Sequence, residues 1–362
     1  MLRFLHAADL HLDSPFRSLP PERAIQRRAE LRALPGLLCD LAREQDCQLL
    51  LLSGDLFDAV GGYPETIEAL IRAFSACPAQ IFIAPGNHDF YASASPYELE
   101  RWPENVHIFR SETPEAVSLP DLGVTVWGAA FRGEHAESLL SGFHAPQDGQ
   151  IHLMVLHGDP ESPQSPYNPI TAEQIAASGL SYLALGHIHA RSELRYAGSV
   201  PYAWPGCPMG RGFDEAGEKG VYLGEVDESG LRLRFYPLPG RRYELLRVEA
   251  GSDPLAAIQA ALPETPTLPH AYRITLTGEA EPPDLGTLHA ALDARFFSLT
   301  LRDETHPPQD LWAGTGEDTL KGLLLSALFA QAQSTQGADL RRVELAARYA
   351  RAALEGREVP QP

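Results

Sequence analysis

Residues 49–58 read LLLLSGDLFD, and our prediction of the fold starts from this stretch. Its first four residues form a short, wholly apolar run, as is expected of a strand that is buried on both faces. The run ends in a turn that carries two aspartates, Asp55 and Asp58, beside Gly54. Glycine suits a sharp turn in which the backbone approaches its neighbours closely. The stretch therefore predicts a buried strand whose carboxyl end presents carboxylates.

Short apolar runs of the same kind recur as far as residue 236. They lie at residues 2–7, 81–84, 124–127, 151–156 and 182–185. Helix-like stretches separate them, at residues 21–44, with an interruption at Pro35-Gly36, and at residues 66–76. Two later runs, 220–226 and 231–236, flank Asp227-Glu228-Ser229-Gly230, which predicts a hairpin. The alternation predicts a layered α/β domain.

Two clusters of residues that break helices and strands divide the chain. They are Pro237-Leu238-Pro239-Gly240 and His306-Pro307-Pro308. Between them we predict strands at residues 243–248, 272–276 and 296–301 and helices at residues 254–262 and 285–292. Two terminal helices are predicted at residues 318–333 and 338–354. We therefore expect a first domain over residues 1–240, a small α+β capping domain over 241–305 and a helical segment over 306–362.

Composition restricts the class of protein. The 362 residues, 44% of them hydrophobic, allow about two domains and exclude a mainly disordered chain. The longest apolar stretch, residues 322–330, is far shorter than the ~18–20 residues that span a membrane, so we expect no membrane contact. The four cysteines form no CxxC pair, which favours a reducing, cytoplasmic location. A net charge of −19 argues against nucleic acid, although bound metal ions would add positive charge locally.

Five of the predicted strands end in turns that carry aspartate, asparagine or histidine. These polar residues are Asp9, His11, Asp55, Asp58, Asn87, His88, His157, His187 and His189. Because ligands gather at the carboxyl ends of strands in open α/β sheets, we expect the five turns to converge. Carboxylates, an amide and imidazoles without a thiolate suit Mn²⁺ first, and also Fe²⁺ or Zn²⁺. Seven candidate ligands match two ions that share a carboxylate, as in enzymes that cleave phosphate esters.

The ordered motifs resemble those of the calcineurin-like metallophosphoesterases. The motifs are Asp9-x-His11, Gly54-Asp55-x-x-Asp58, Gly86-Asn87-His88-Asp89, His157-Gly158 and Gly186-His187-x-His189. Within that superfamily the opening FLHAADLHLD, residues 4–13, is similar to the DNA double-strand-break repair exonucleases, SbcD-like and YhaO-like. Residues 196–199 and 210–220 also fit this group. The resemblance implies a four-layer α/β/β/α sandwich with a small cap and C-terminal helices.

The resemblance also implies a role for each polar residue. One metal would be held by Asp9, His11, Asp55 and His189, and the second by Asp55, Asn87, His157 and His187. Asp55 would bridge the two ions. His88 would orient the phosphate or protonate the leaving oxygen, and Asp58 would buttress the His88 ring. The implied activity is metal-dependent cleavage of DNA phosphodiester bonds by an exo- or endonuclease subunit of a repair complex.

Two alternatives stay open. The position of Asp58 is histidine in many nucleases of this group and aspartate in the phosphatase branches. Asp58 and the acidic net charge therefore favour a small-substrate phosphodiesterase or phosphatase as an alternative. The second alternative is a catalytically silent scaffold subunit. The sequence argues against it, because a suitable residue occupies every ligand position.

Basic and amphipathic segments suggest partners. Arg17 and Arg27, in an arginine-rich stretch, and Arg211 are candidate DNA contacts, although a solvated helix face and loop packing are the plainer interpretations. The last helix places apolar residues on one stripe, from Leu340 to Leu354. The resemblance implies that the C-terminal region docks an SMC-like or AAA ATPase and that the protein forms a homodimer.

Overall fold

The computed structural model describes residues 1–227, 230–306 and 310–356. Its β-strands, numbered in chain order, are β1 Leu2–Ala7, β2 Leu49–Leu52, β3 Gln80–Ile83, β4 Val106–Ile108, β5 Glu115–Leu119, β6 Val124–Gly128, β7 Ile151–His157, β8 Tyr182–Gly186, β9 Arg195–Ala197, β10 Val200–Ala203, β11 Gly220–Asp227, β12 Gly230–Pro237, β13 Tyr243–Glu249, β14 Ala271–Glu279 and β15 Ser298–His306. Its α-helices are α1 Pro21–Glu44, α2 Pro64–Ser75, α3 Pro96–Leu99, α4 Ala172–Ala177, α5 Pro254–Ala261, α6 Leu285–Leu292, α7 Leu320–Gln333 and α8 Gly337–Leu354.

The first sheet contains six strands in the order β12-β11-β1-β2-β3-β4. Strands β1 to β4 run parallel, with Phe4 opposite Leu49 and Leu49 opposite Gln80, whereas β11 runs antiparallel to β1. All four residues of β2 are buried, as the apolar run predicts. The antiparallel pairing of β11 with β12 confirms the predicted hairpin. Residues 228 and 229 of its turn lie outside the described residues.

The second sheet contains six strands in the order β5-β6-β7-β8-β10-β9. Strands β6, β7, β8 and β10 run parallel, and the edge strands β5 and β9 run antiparallel to their neighbours. The sequence predicts β6, β7 and β8 from their apolar runs. It does not predict β4 or β5, because β4 has three residues and β5 has no fully buried residue.

The two sheets pack face to face, and helices cover their outer faces. Leu49 and Leu51 of β2 pack in one buried cluster with residues of the second sheet such as Val155. Leu50 of β2 belongs instead to the cluster that contains residues of α1 and α2. Successive strand residues point to opposite faces, so this alternation places β2 between the second sheet and a helical layer. On the far side, Ile175 of α4 packs on the second sheet. The predicted α/β/β/α sandwich is confirmed.

Helix α1 differs from the prediction. The sequence predicts an interruption at Pro35-Gly36, yet α1 continues through both residues. An internal proline loses one backbone hydrogen bond and disfavours a helix by about 3 kcal/mol. Leu34, Pro35 and Leu38 are buried, and this packing offsets the cost.

The C-terminal part follows the predicted order of strand, helix, strand, helix and strand, in β13, α5, β14, α6 and β15. The three strands form a sheet in the order β13-β14-β15. The chain forms two compact units, of which the first contains both six-stranded sheets. The second contains Leu246–Leu262, Ile274–Ala291 and the described residues from Leu301 onward. Pro307 and Pro308, at the predicted second break, lie outside the described residues, and the boundaries 240/241 and 305/306 stay predictions.

Within the described ranges, no helix has both the length and the apolar character that crossing a membrane requires.

Candidate metal centre

The predicted donor side chains follow the carboxyl ends of strands from both sheets. Asp9 follows β1 and Asp55 follows β2 in the first sheet, whereas His157 ends β7 and His187 follows β8 in the second. Hydrogen bonds join the loops across the sheets. The backbone N–H of His187 donates to the Asp9 carboxylate at 3.1 Å, and His157 Nδ1 lies 2.9 Å from the Ser53 carbonyl oxygen. The fold thus brings distant turns into one pocket.

Several of these residues have strained backbones. Asp9, His11, Asp55 and His187 have φ angles of 55°, 43°, 51° and 101°. Residues other than glycine rarely adopt such angles, which cost of order 1–3 kcal/mol each and persist where the surroundings hold them. Here the backbone N–H of Asp9 donates to the Gly54 carbonyl at 3.0 Å, and that of His11 to the Asp55 carbonyl at 2.9 Å. Strain of this kind clusters at functional sites.

Gly86 approaches Asp55 too closely for a side chain to fit between them. A Cβ on Gly86 would overlap the Asp55 carboxylate and lie 2.8 Å from the Asp55 nitrogen. We expect Gly86→Ala to displace that carboxylate and to weaken Mn²⁺ binding by about 10–100-fold, the effect usual for disturbing a ligand's support. Calorimetric titration measures it, with Gly36→Ala as control because its Cβ meets nothing within 4 Å. Equal affinities in the two variants would contradict the expectation.

One group of donors consists of Asp9, His11 and His189. Their ligand atoms lie within 4.8 Å of one another. The Nε2 atoms of His11 and His189 are 3.1 Å apart, and Asp9 and His11 are fully buried. Two imidazole nitrogens and a carboxylate therefore face one small volume, which is the donor set that divalent transition metals prefer.

A second group is centred on Asp55. The ligand atoms of Asp9, Asp55 and His157 lie within the same distance of one another. His157 Nε2 is 3.3 Å from Asp55 Oδ2 and 2.9 Å from Asn87 Oδ1. The same Asp55 oxygen is 3.7 Å from His11 Nε2. The Asp55 carboxylate therefore faces both groups.

Outer partners orient the imidazoles toward these groups. The Ser53 carbonyl oxygen accepts from His157 Nδ1, and the Glu215 carboxylate lies 2.7 Å from His189 Nδ1. Both contacts keep the hydrogen on Nδ1 and leave the Nε2 lone pair facing inward, as is usual for histidines that bind metals. The Nε2 atom of His157 then faces carboxylate and amide oxygens alone. A proton or a metal ion must lie between electron-rich atoms at such distances, and the nitrogen and oxygen donors of this pocket fit divalent metal ions.

The charges of the pocket agree with this fit. Burial alone would raise the pKa of Asp55, but attraction to His157 holds it below its usual range. Burial would lower the pKa of His157, but the Asp55 and Asp9 carboxylates raise it to about 9. Burial and the neighbouring His157 lower the pKa of His187 to about 4. The carboxylates thus stabilise positive charge beside Asp55.

The carboxylate of Asp58 has hydrogen-bond partners other than the His88 ring that the resemblance implies. His88 Nδ1 lies 3.2 Å from the backbone carbonyl oxygen of Asp58, not from its carboxylate. That carboxylate lies 3.2 Å from His11 Nδ1 and 3.0 Å from Arg211 Nη1, and it accepts a hydrogen bond from Ser14. Ser14 and Arg211 donate to the Asp58 carboxylate, one oxygen of which also lies within 4.8 Å of a His88 ring nitrogen. Asp58 therefore supports His88 through its main chain and His11 through its side chain.

A cavity of about 320 Å³ opens beside His88. Asp58 and Asn87 line the side of the cavity next to the candidate metal site. The aromatic rings of Phe90 and Tyr167 also line it. His88 is exposed, unlike the buried Asp55 and His11. A substrate in this cavity would therefore contact His88 and a metal ligand together.

Two of the candidate DNA contacts differ in exposure, since Arg17 is exposed and Arg27 is buried. Arg27 is fully buried, donates to the Gly210 carbonyl at 2.7 Å and pairs with Glu30. Burying a guanidinium requires such partners, and full burial keeps the group away from a phosphate outside the protein.

Arg211, the third candidate DNA contact, is paired with two carboxylates. Its side chain is 19% exposed, and its guanidinium joins the carboxylates of Asp58 and Glu215 at 3.0 and 2.7 Å. The sequence analysis does not select Glu215, which is 5% exposed and lies 26 residues after its partner His189. No spacing rule connects them, and the one sequence signal is the position of Glu215 inside the 210–220 segment.

Residues 2–191 match the family described as calcineurin-like phosphoesterase. The chain belongs to this family. The matched part includes every predicted metal ligand from Asp9 to His189. Members of the family use divalent metals, and the protein is accordingly a metallophosphoesterase. Arg211 and Glu215 lie beyond the matched part.

Three relatives agree with the resemblance found in the sequence. An uncharacterized metallophosphoesterase, YhaO of Bacillus subtilis (strain 168), is 33% identical over 265 residues, 70% of this chain and 63% of that protein. The DNA double-strand break repair protein Mre11 of Methanopyrus kandleri is 24% identical over 64% of this chain and 55% of its own length. The SbcD component of the nuclease SbcCD from Rhodobacter capsulatus is 27% identical over 87% of this chain and 93% of its own length. The chain thus spans less than two thirds of the first two relatives.

Proposed function

We propose that this protein hydrolyses DNA phosphodiester bonds as a nuclease that depends on two divalent metal ions, with Mn²⁺ the expected ion. The observation that carries the proposal is the placement of the Asp55 carboxylate, 3.7 Å from His11 Nε2 and 3.3 Å from His157 Nε2. A carboxylate shared by two donor groups is the arrangement of two-metal phosphoesterases. Two of the relatives bear names that state DNA break repair or nuclease action.

The proposal assigns the donors to two ions. The first would be held by Asp9, His11 and His189, the second by Asn87, His157 and His187, and Asp55 would be shared. When bound, such ions lower the pKa of a coordinated water and neutralise charge on phosphoryl oxygens. The protein's contribution is to hold the donors in place through the strained loops and their outer partners.

His88 is the residue that we propose to handle a proton. The Asp58 carbonyl oxygen can only accept a hydrogen bond, so it keeps a hydrogen on His88 Nδ1 and leaves Nε2 for the substrate. The backbone N–H of His88 donates to Asp55 Oδ1 at 3.0 Å, which ties the ring's position to the shared carboxylate. From the cavity wall the ring would orient the phosphate or, when Nε2 also carries a proton, give that proton to the leaving oxygen.

A second candidate is hydrolysis of a small phosphodiester or phosphomonoester. It is favoured because Arg27 and Arg211 are paired inside the protein, which removes two of the three predicted DNA contacts. The net charge of −19 points the same way.

Digestion of labelled DNA separates the two candidates. We expect the wild-type protein to degrade linear duplex or single-stranded DNA with Mn²⁺ and to lose this activity with a chelator. Bis(nitrophenyl) phosphate and nitrophenyl phosphate are assayed in parallel. Cleavage of these small esters with intact DNA would contradict the nuclease and favour the second candidate. A protein that binds no metal and cleaves nothing would be the scaffold subunit.

Binding of DNA is expected to weaken as salt increases, because each neutralised phosphate releases counterions. The measurement uses Mn²⁺-loaded His88→Ala and a labelled duplex at about 50 and about 200 mM salt. Arg17→Ala should reduce the slope of log affinity against log salt by about 1, while the exposed Arg101→Ala should not. An affinity that does not fall with salt, and that Arg17→Ala does not alter, would count against DNA as the substrate.

We further propose the SMC-like or AAA ATPase as a partner of the C-terminal helices, together with homodimer formation. In the predicted stripe of α8, Val343 and Ala347 are buried. Strongly exposed leucines lie instead on α7, where Leu320 and Leu323 are 72% and 62% exposed. Deletion of residues 320–362, which removes both α7 and α8, should remove the ATPase in a pull-down, and unchanged association would contradict the proposal.

A further inference from the structure

We propose that Arg211 and Glu215 are positioning residues that set the placement of His189 relative to His11, and with it the affinity of one of the two metal positions. The inference rests on the proposed function only in that a metal binds to the group formed by Asp9, His11 and His189. Both residues lie beyond the part of the chain that matches the family.

Glu215 holds His189. Its Oε1 lies 2.7 Å from His189 Nδ1, while His189 Nε2 faces His11 Nε2 at 3.1 Å. A carboxylate on the outer nitrogen of an imidazole fixes the ring's tautomer and orientation and makes the inner nitrogen a stronger donor. Glu215 thus acts on the metal position without reaching it.

Arg211 joins Glu215 to the opposite histidine. Its Nη2 lies 2.7 Å from Glu215 Oε1, and its backbone N–H donates to Glu215 Oε2 at 2.7 Å. Its Nη1 lies 3.0 Å from Asp58 Oδ1, and that same oxygen is 3.2 Å from His11 Nδ1. One planar guanidinium therefore links the carboxylate that holds His189 Nδ1 to the Asp58 carboxylate, which makes a charge contact with His11 Nδ1 at 3.2 Å and no hydrogen bond to it. Because the fork of an arginine is rigid, it defines the separation of the carboxylates in a way that a lysine cannot.

The surroundings keep this connection in place. The side chains of Glu215, Arg211 and His11 are 5%, 19% and 0% exposed, so water and salt screen their interactions little. The segment that carries Arg211 is also anchored to α1, because the buried Arg27 donates to the Gly210 carbonyl at 2.7 Å. An arginine already shared by two carboxylates is suited to holding side chains and not to catching a phosphate.

Metal titration of the full chain tests the proposal independently of any substrate. The metal-free protein is titrated with Mn²⁺ by calorimetry and by the electron paramagnetic resonance of free Mn²⁺. We expect Arg211→Gln and Glu215→Gln to weaken one of two Mn²⁺ positions by about 10–100-fold and to leave the other unchanged. Arg211→Lys, which keeps the charge but not the fork, should weaken the same position. Arg195→Gln is the matched control, since Arg195 pairs with Glu161 at 2.9 Å on the surface.

Two further measurements separate positioning from general destabilisation. Arg211 and Glu215 are proposed to act on the same histidine. The Mn²⁺ affinity of the double variant Arg211→Gln/Glu215→Gln should therefore be no lower than that of the single variant with the lower affinity. The unfolding temperature of the metal-free Arg211→Lys variant should match that of the wild type, while the stabilisation that Mn²⁺ adds should fall. Wild-type affinity at both positions in Arg211→Gln and Glu215→Gln would overturn the proposal. So would equal weakening of both positions. Weakened binding at one position without any DNA cleavage would refute the nuclease and leave this inference standing.

Discussion

Replacing Asp55 by asparagine is expected to lower phosphodiester hydrolysis by about 10³-fold or more and to reduce the bound metal below two ions per chain. The Asp55 carboxylate is the group that faces both His11 and His157. Asparagine keeps the shape but removes the charge. Electrostatic stabilisation by metal ions contributes several kcal/mol to such reactions, and about 4 kcal/mol corresponds to about 10³-fold. Turnover of the phosphodiester and the metal-to-protein ratio by atomic emission measure the two effects.

Asp159→Asn is the matched control for Asp55→Asn. Asp159 also follows a strand that ends in a predicted donor, but its carboxylate accepts the backbone N–H groups of Glu161 and Ser162 and thereby caps a turn. We expect its turnover and metal content to stay near those of the wild type. Two metal ions and full turnover in Asp55→Asn would show that Asp55 is not the shared ligand.

His88→Ala is expected to keep both metal ions and to lose about 10²–10⁴-fold in turnover of DNA, the usual contribution of a positioned acid or base. Metal should stay because His88 contacts Asp55 through its backbone N–H, which alanine retains. The measurement combines metal analysis with single-turnover digestion of labelled DNA.

Two substrates with different leaving groups show whether His88→Ala loses a proton donor or is impaired in general. A sugar oxygen needs a proton as it departs, whereas a nitrophenolate does not. The loss in His88→Ala should therefore be much smaller for bis(nitrophenyl) phosphate than for DNA. His144→Ala, which removes an exposed histidine that contacts the Ala177 carbonyl, should leave both substrates unaffected. Equal losses on the two substrates would exclude the role of proton donor.

Buried strands were the part of the fold that could be predicted from local pattern. The run Leu49–Leu52 reads as a strand because both of its faces are covered, which leaves no polar position in it. The short strand β4 and the continuation of α1 through Pro35 could not be predicted in the same way. Both depend on neighbours that are distant in the chain, since pairing with β3 makes β4 a strand and packing of Leu34 and Leu38 retains the helix.

In the candidate site, too, local pattern predicted some features, and others depended on residues distant in the chain. Asp9, Asp55 and His157 were predictable as candidate donors because each lies at the carboxyl end of an apolar strand. The partners of those donors were not predictable, as the 26 residues between His189 and Glu215 show. The sequence does not show whether an arginine is exposed or, like Arg27, fully buried.

The sequence by itself determined the chemistry available to this protein: oxygen and nitrogen donors at the ends of apolar strands, and so a metal-dependent phosphoesterase. The contacts of the Asp58 carboxylate with His11 and Arg211 became visible in the folded chain alone, as did the pairing of Arg211 with Glu215. The reason is physical. A strand and its turn are specified by hydrophobic period and local sterics, whereas the partner of a buried charge is specified by which distant segments fold against it.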